Sequence, residues 1–245
     1  MASKTTIAYI RSLHNKEDRQ KEQVFLVEGW KSISEFLNSN YIIVGWFFTE
    51  KFASWKVFSF PFQIVTDAEI ARMTTLMSND AGMLIVEMRP NILPEILQDE
   101  LVLILDGISD PGNLGTIIRT ADWYGISHII ASNDTVDCYN PKVIMATMGS
   151  SSRTSIFYTD IESYLSKNTK KVYWAYLDWE STHIKVFSHL GAYLIIGNEA
   201  HGIRPNLDKY VTDKITIPRF GRAESLNASV ATAVILDRMV WSTQP

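Results

Sequence analysis

The chain has 245 residues, of which 46% are hydrophobic and 20% charged, and a formal net charge of −4. This is the composition of a soluble globular protein of one large or two modest domains, and its bulk charge gives no pointer to nucleic acid. The single cysteine, Cys138, excludes an intramolecular disulfide and a multi-cysteine zinc site, which suits a reducing cytoplasm, and no metal is expected. The first residues lack the apolar core of a signal peptide, and no apolar run approaches the ~20 residues of a membrane span.

In chain order, Ile7, Ile10 and Leu13 sit at helical spacing and predict a helix over 4–14. A strand over 24–27, a helix over 30–37, and strands over 41–48, 62–65 and 83–88 follow. The segment RPNILPEILQDE, with Pro90 and Pro94, predicts a linker. The expected organisation is a domain over 1–90, a linker over 91–99 and a domain over 100–245. In the second domain, strands are predicted over 101–105, 128–131, 172–177, 193–196 and 214–217. Helices are predicted over 114–124, 141–148, 161–167 and 227–240. Alternating strands and helices predict an α/β fold whose mostly parallel sheet is covered on both faces. Ligands of such sheets bind beyond the carboxyl ends of the strands, so the loops after Leu105, Ile196 and Ile217 are the ones to inspect.

The first loop, DGISDPGNLGTIIR, carries Gly107, Gly112 and Gly115. It spells neither the dinucleotide fingerprint nor a P-loop, so a standard phosphate cradle is not expected. Leu114, Ile117, Ile118 and Ala121 form a core stripe, and Arg119 lies off it. The plain reading makes Arg119 an exposed arginine or the ion-pair partner of Asp122, and Asn113 a helix cap. The second loop, LIIGNEAHGIRP, sets Asn198 and Glu199 between Gly197 and Gly202, where backbone must approach something closely. Its plain reading is a turn in which Asn198 or Glu199 caps the next short helix. The third, IPRFGRAESLNASVATAVILDRM, has a basic start at Arg219 and Arg222, then Ser225 and Asn227 as caps of a helix that is apolar or small nearly all round. Such a helix is buried or pressed against a subunit. Basic residues also gather at Arg11, Lys16, Arg19, Lys21 and Lys31, where solvated helix faces are the simpler reading.

Together, DPGNLGTIIRTADWYG, LIIGNEAHGI and IPRFGRAESLNASVA resemble, in order, the three motifs of the SpoU (TrmH-like) RNA 2'-O-ribose methyltransferases of the SPOUT superfamily. The N-terminal IRSLHNKEDRQKEQVFLVEGWKSISEFL looks like the small substrate-binding domain of many members, which is similar to ribosomal L30e-type RNA-binding proteins. The resemblance implies an L30e-like RNA-binding domain joined to an α/β domain whose C-terminal part threads a deep trefoil knot. It implies S-adenosylmethionine as cofactor, held by Gly197, Asn198, Ile217, Ser225 and Leu226. It also implies a homodimer formed through the knotted domain, and RNA as partner through Arg11, Lys16, Arg19, Lys21 and Arg222. By motif position the catalytic set is Arg119, Asn113, Glu199, Ser225 and Asn227. Arg119 is the residue sometimes described as the base in this family. A guanidinium releases its proton too reluctantly for that near neutrality, so Arg119 is expected to hold a phosphate or the developing alkoxide. Residue type alone leaves open whether it also takes the proton.

One segment, KVIMATMGSSSRTSI, departs from the family pattern. Thr147 stands for a serine, Ser152 for a bulky apolar residue and Ser155 for a proline, while Gly149 and Arg153 are kept. The expected substrate is ribosomal RNA, 23S or other, with tRNA as the alternative. Two further readings compete. One is an inactive RNA-binding assembly factor of the same fold. The other is an α/β enzyme using another nucleotide, which the missing fingerprints weaken.

Overall fold

The computed structural model describes residues 2–55, 57–95, 99–168, 170–182, 187, 191–198 and 202–241. The chain divides into two compact units, residues 1–90 with Asp137–Ser152, and residues 91–136 with 153–245.

The first unit runs α1 (Lys4–Ser12), α2 (Lys16–Glu22), β1 (Val24–Glu28), α3 (Trp30–Leu37), β2 (Ile43–Phe48), α4 (Glu50–Ala53), β3 (Gln63–Ile64), α5 (Asp67–Met73) and β4 (Gly82–Glu87). Its sheet has the order β1-β4-β2-β3, antiparallel except for β2 beside β3. Alternate residues of each strand serve two cores, because strand side chains alternate between faces. Leu26, Phe47, Met83 and Ile85 face α1 and α5 through Ile7, Ile10 and Met73. Phe25, Val27, Phe48, Leu84 and Val86 face α3 and α4 through Ile33, Phe36 and Phe52. Covering on both faces is why these strands read as continuous apolar runs.

Asp137–Ser152, expected to lie in the second domain, packs in the first unit. It carries the helix α7 (Pro141–Ala146). Ile144 enters the aromatic core, and the Tyr139 ring lies 4.6 Å from that of Phe25. Asp137 pairs with Arg19 at 2.6 Å. Burying two such side chains outweighs any local tendency of the segment to follow its chain neighbours.

The second unit comprises β5 (Leu101–Asp106), α6 (Pro111–Trp123), β6 (His128–Ser132), β7 (Ser155–Thr159), α8 (Ile161–Leu165), β8 (Lys171–Ser181), β9 (Ala192–Gly197), β10 (Asp213–Thr216) and α9 (Ala228–Trp241). Its six described strands are all parallel in the order β10-β8-β9-β5-β6-β7. One face is packed by Ile161 and Leu165 of α8 with Ile203 and Leu207. On α6 the predicted stripe Leu114, Ile117, Ile118 and Ala121 is buried, and this helix packs against α9. From β5 the chain moves to β6 on one side, while β9 lies on the other. That reversal makes the carboxyl ends of β5 and β9 the switch point of the sheet, the place where such sheets bind ligands. Among the described residues no helix is long and apolar enough to cross a membrane, and no His, Cys, Asp or Glu cluster could hold a metal.

Candidate active site at the carboxyl edge of the parallel sheet

β5 and β9 end level with each other, Asp106 opposite Gly197. The first loop leaves β5 at Gly107, whose positive φ of 77° suits glycine. Its amide donates to Ser132 Oγ at 2.8 Å, and its carbonyl accepts from Asn198 Nδ2 at 2.7 Å. The cap of α6 is Asp110, which accepts from the Asn113 amide at 2.7 Å, with Pro111 in the first turn. Asn113 is therefore not the cap. Its side-chain oxygen instead accepts from Asn227 Nδ2 at 2.8 Å, across 114 residues of sequence.

Asn227 does two things at once. Its own oxygen accepts from the Ser229 amide (3.0 Å), the Ser229 hydroxyl (2.6 Å) and the Val230 amide (3.4 Å), which caps α9. Its amide nitrogen is left to reach Asn113. The capping reading of Asn227 holds, and its side-chain amide also links the first and third motif segments. Ser225 and Leu226 precede it on an exposed loop with Arg222, while Ile217 is half-buried.

Arg119 is exposed on α6. The expected alternative, a pair with Asp122, does not form, because Arg153 takes that carboxylate through Nε (3.0 Å) and Nη2 (2.7 Å). Among the described residues Arg119 has no hydrogen-bond or ion-pair partner. It is a fork of donors standing in solvent two turns beyond Asn113.

In the second loop, Asn198 and Gly202 exchange backbone hydrogen bonds at 3.0 and 2.9 Å. A Cβ on Gly197 would lie 2.5 Å from the Gly202 carbonyl carbon and 2.6 Å from the Ile203 nitrogen, so only glycine fits. The close approach expected there is made to the loop's own backbone. Asn198 does not cap the following 3-10 helix Pro205–Tyr210; Arg204 precedes that helix. Glu199 lies outside the described residues.

Two residues that sequence reasoning passed over sit beside this loop. Asp106 is 1% exposed, and Arg204 donates to it from its backbone amide (2.8 Å) and from Nε (2.6 Å). Arg204 Nη2 also reaches Asp134 Oδ1 at 3.0 Å. The Ser132 hydroxyl and, after it, Arg204 hold the Asp134 carboxyl below the usual range. The available signal was Asp106 itself, a carboxylate ending a fully apolar run, which must find a partner.

Of the basic residues expected to meet RNA, Arg11, Lys16, Lys21 and Arg222 are exposed. Arg19 is not. It is 1% exposed, and Nη1 donates to the carbonyls of Leu13 (3.1 Å) and His14 (2.8 Å) while Nη2 holds Asp137. Nη1 and Nη2 are engaged inside the first unit and Nε is buried there without a hydrogen-bond partner among the described residues, which corrects the expectation that Arg19 faces RNA.

The model of the SpoU rRNA Methylase family matches residues 100–237. The chain belongs to this family. With that membership it is an RNA 2'-O-methyltransferase of the SpoU/TrmH-like group, as its three motifs implied. Residues 4–86 match an MRM3-like substrate binding domain, so two domains of distinct kind are joined. The chain is 29% identical to the 23S rRNA (guanosine(2553)-2'-O)-methyltransferase RlmP of Bacillus subtilis, over 92% of each chain. Among solved structures, a TrmH-family protein from Porphyromonas gingivalis superposes with a TM-score of 0.85 at 32% identity, over 98% of each chain. An AdoMet-bound rRNA methyltransferase from Sinorhizobium meliloti superposes with a TM-score of 0.83 at 28% identity, over 100% of this chain and 98% of that one.

Proposed function

We propose that the protein methylates a ribose 2'-hydroxyl of 23S ribosomal RNA in the cytoplasm, with S-adenosylmethionine as donor. The observation that carries this reading is the Asn113–Asn227 hydrogen bond. It joins the third motif to the first on α6, the helix that also carries the exposed Arg119, which has no partner among the described residues. The B. subtilis relative's activity on 23S rRNA supports the choice of RNA.

The residues fit the cofactor. The positions assigned to hold it, Gly197, Asn198, Ile217, Ser225 and Leu226, offer backbone groups, and Leu226 adds an apolar side chain 48% exposed. Such a lining suits an uncharged adenosine and has no use for phosphate. When bound, S-adenosylmethionine supplies an electrophilic methyl group on a sulfonium.

The chain's own work is to align the ribose hydroxyl and to stabilise charge on its oxygen as the proton leaves. Arg119 presents several donors to that oxygen or to the neighbouring phosphate, bidentate where geometry allows. Asn113 and Asn227, fixed by each other, hold the hydroxyl network together with Ser225. Glu199 orients Arg119 or the ribose. Arg11, Lys16, Lys21 and Arg222 contact RNA phosphates, which would make affinity fall with salt.

The C-terminal part threads the trefoil knot, and two copies pair through this domain. Trp123 (83% exposed) and Trp241 (64% exposed), on the mutually packed α6 and α9, support the pairing. Soluble monomers rarely leave such large apolar side chains uncovered on neighbouring helices.

Transfer of label from tritiated S-adenosylmethionine to purified 23S rRNA, 16S rRNA and tRNA tests the function. Label on the 2'-oxygen of one nucleotide of 23S rRNA is expected. Label on tRNA alone would replace the substrate, and no label on any RNA would favour the inactive assembly factor.

A further inference from the structure

Asp106 carries a full carboxylate into the interior at the end of β5, its side chain wholly buried. A buried charge is tolerated only where it is paired and hydrogen-bonded. Among the described residues, every partner of Asp106 comes from Arg204. The Arg204 backbone amide donates to Oδ2 at 2.8 Å, Nε donates to Oδ1 at 2.6 Å, and Nη2 also pairs with Oδ1. The same guanidinium reaches Asp134, on the turn after β6, at 3.0 Å. One side chain thus ties together the ends of β5 and β6 and the chain leaving the second motif loop.

The tie lies close to the site. Arg204 is two residues past Gly202, where the Asn198–Gly202 pair closes the loop that carries Glu199. Asp106 is followed by Gly107, whose carbonyl accepts from Asn198 Nδ2 at 2.7 Å. The two ends of the loop are therefore tied to β5, one through Asn198 and one through Arg204.

We infer that Arg204 is a positioning residue: by satisfying the buried Asp106 it fixes the end of the second motif loop at Gly202 beside β5, where the loop's other end at Asn198 is already held, in the arrangement that receives the cofactor. This rests on the methyltransferase reading. Without the guanidinium the buried Asp106 side chain loses its Nε and Nη2 donors, and the loop end they held is loosened. Preorganisation is lost, and the cost falls on cofactor binding before it falls on RNA binding. Arg204 is half-exposed, so a direct contact between its guanidinium and an RNA phosphate is the rival role.

The test uses the full-length protein and titrates S-adenosylhomocysteine by calorimetry, with 23S rRNA binding measured in parallel. Arg204→Gln is expected to weaken S-adenosylhomocysteine at least ~10-fold and to change RNA affinity less than ~2-fold. Asp106→Asn combined with Arg204→Gln removes the orphaned charge and offers a neutral amide pair. It is expected to recover part of the cofactor affinity lost in the single variant, ~3-fold or more. Thermal unfolding of both variants is measured alongside: affinity lost with the unfolding temperature kept is expected, and affinity lost only in step with stability would overturn the inference. Asp134→Asn is expected to have a smaller effect, because that carboxylate is largely exposed.

Unchanged S-adenosylhomocysteine affinity in Arg204→Gln would overturn the inference, as would weakened RNA binding with a reduced salt dependence. Failure of the unaltered protein to bind S-adenosylhomocysteine would instead overturn the methyltransferase reading.

Discussion

Replacing Arg119 with alanine separates catalysis from stability. The side chain is exposed, off the buried stripe of α6, and without a partner among the described residues. Its removal opens no cavity and orphans no charge, and alanine is at least as good a helix former. The change in folding free energy is therefore expected within about 0.5 kcal/mol. The barrier should move much further. Deleting one donor aimed at a developing oxyanion costs roughly 10²–10³ in rate, about 2.7–4 kcal/mol. Single-turnover transfer from tritiated S-adenosylmethionine gives the rate, calorimetry with S-adenosylhomocysteine the cofactor affinity, and thermal unfolding the stability. The expected result is a loss of at least 100-fold in rate with the other two unchanged. Arg119→Lys keeps the charge but not the fork and should fall between. A rate within about 3-fold of the unaltered protein would refute the assignment. A rate loss matched by a drop in unfolding temperature would make Arg119 a structural residue.

Three further outcomes are expected. Arg19→Ala leaves Asp137 without its guanidinium and strips two carbonyls of a donor, so the first unit should lose about 3–5 kcal/mol; a change under 1 kcal/mol in chemical denaturation would contradict its buried role. Gly197→Ala drives a Cβ into the Gly202 carbonyl, and backbone cannot step aside cheaply; about 1–3 kcal/mol of stability and over tenfold in S-adenosylhomocysteine affinity should go, and intact affinity by calorimetry would argue against the loop's role. Trp123→Asp should convert a dimer to a monomer in light scattering with the circular dichroism spectrum preserved, whereas an unchanged mass would place the interface elsewhere.

Elements whose signal is local were readable. The strands over β4, β5 and β9 are apolar because both faces of each sheet are covered, and α3 and α6 show their stripes. α2, KEDRQKE, has no apolar stripe and was not expected, since only Arg19 is buried on it. β7 is half-buried along its whole length and gave no alternation. α5 was also passed over, although Thr66 and Glu69 form a capping box that its sequence announces. The boundary near Pro90 was legible, but the return of Asp137–Ser152 to the first unit was not. Its reason is a pairing of Tyr139, Ile144 and Asp137 with residues more than a hundred positions earlier.

By itself the sequence determined the α/β class, the family and the three loops that matter, because each is written in contiguous residues whose chemistry is local. Only the tertiary structure decided which of those residues meet. Asn113 finds Asn227 across 114 residues, Arg204 finds Asp106 across 98, and Arg19 is withdrawn from solvent by Asp137 across 118. Each of these depends on strand order, and the two arginine pairs also on a buried charged side chain finding its partner. A hydrophobic pattern encodes which face is inside, but not which distant side chain will be waiting there.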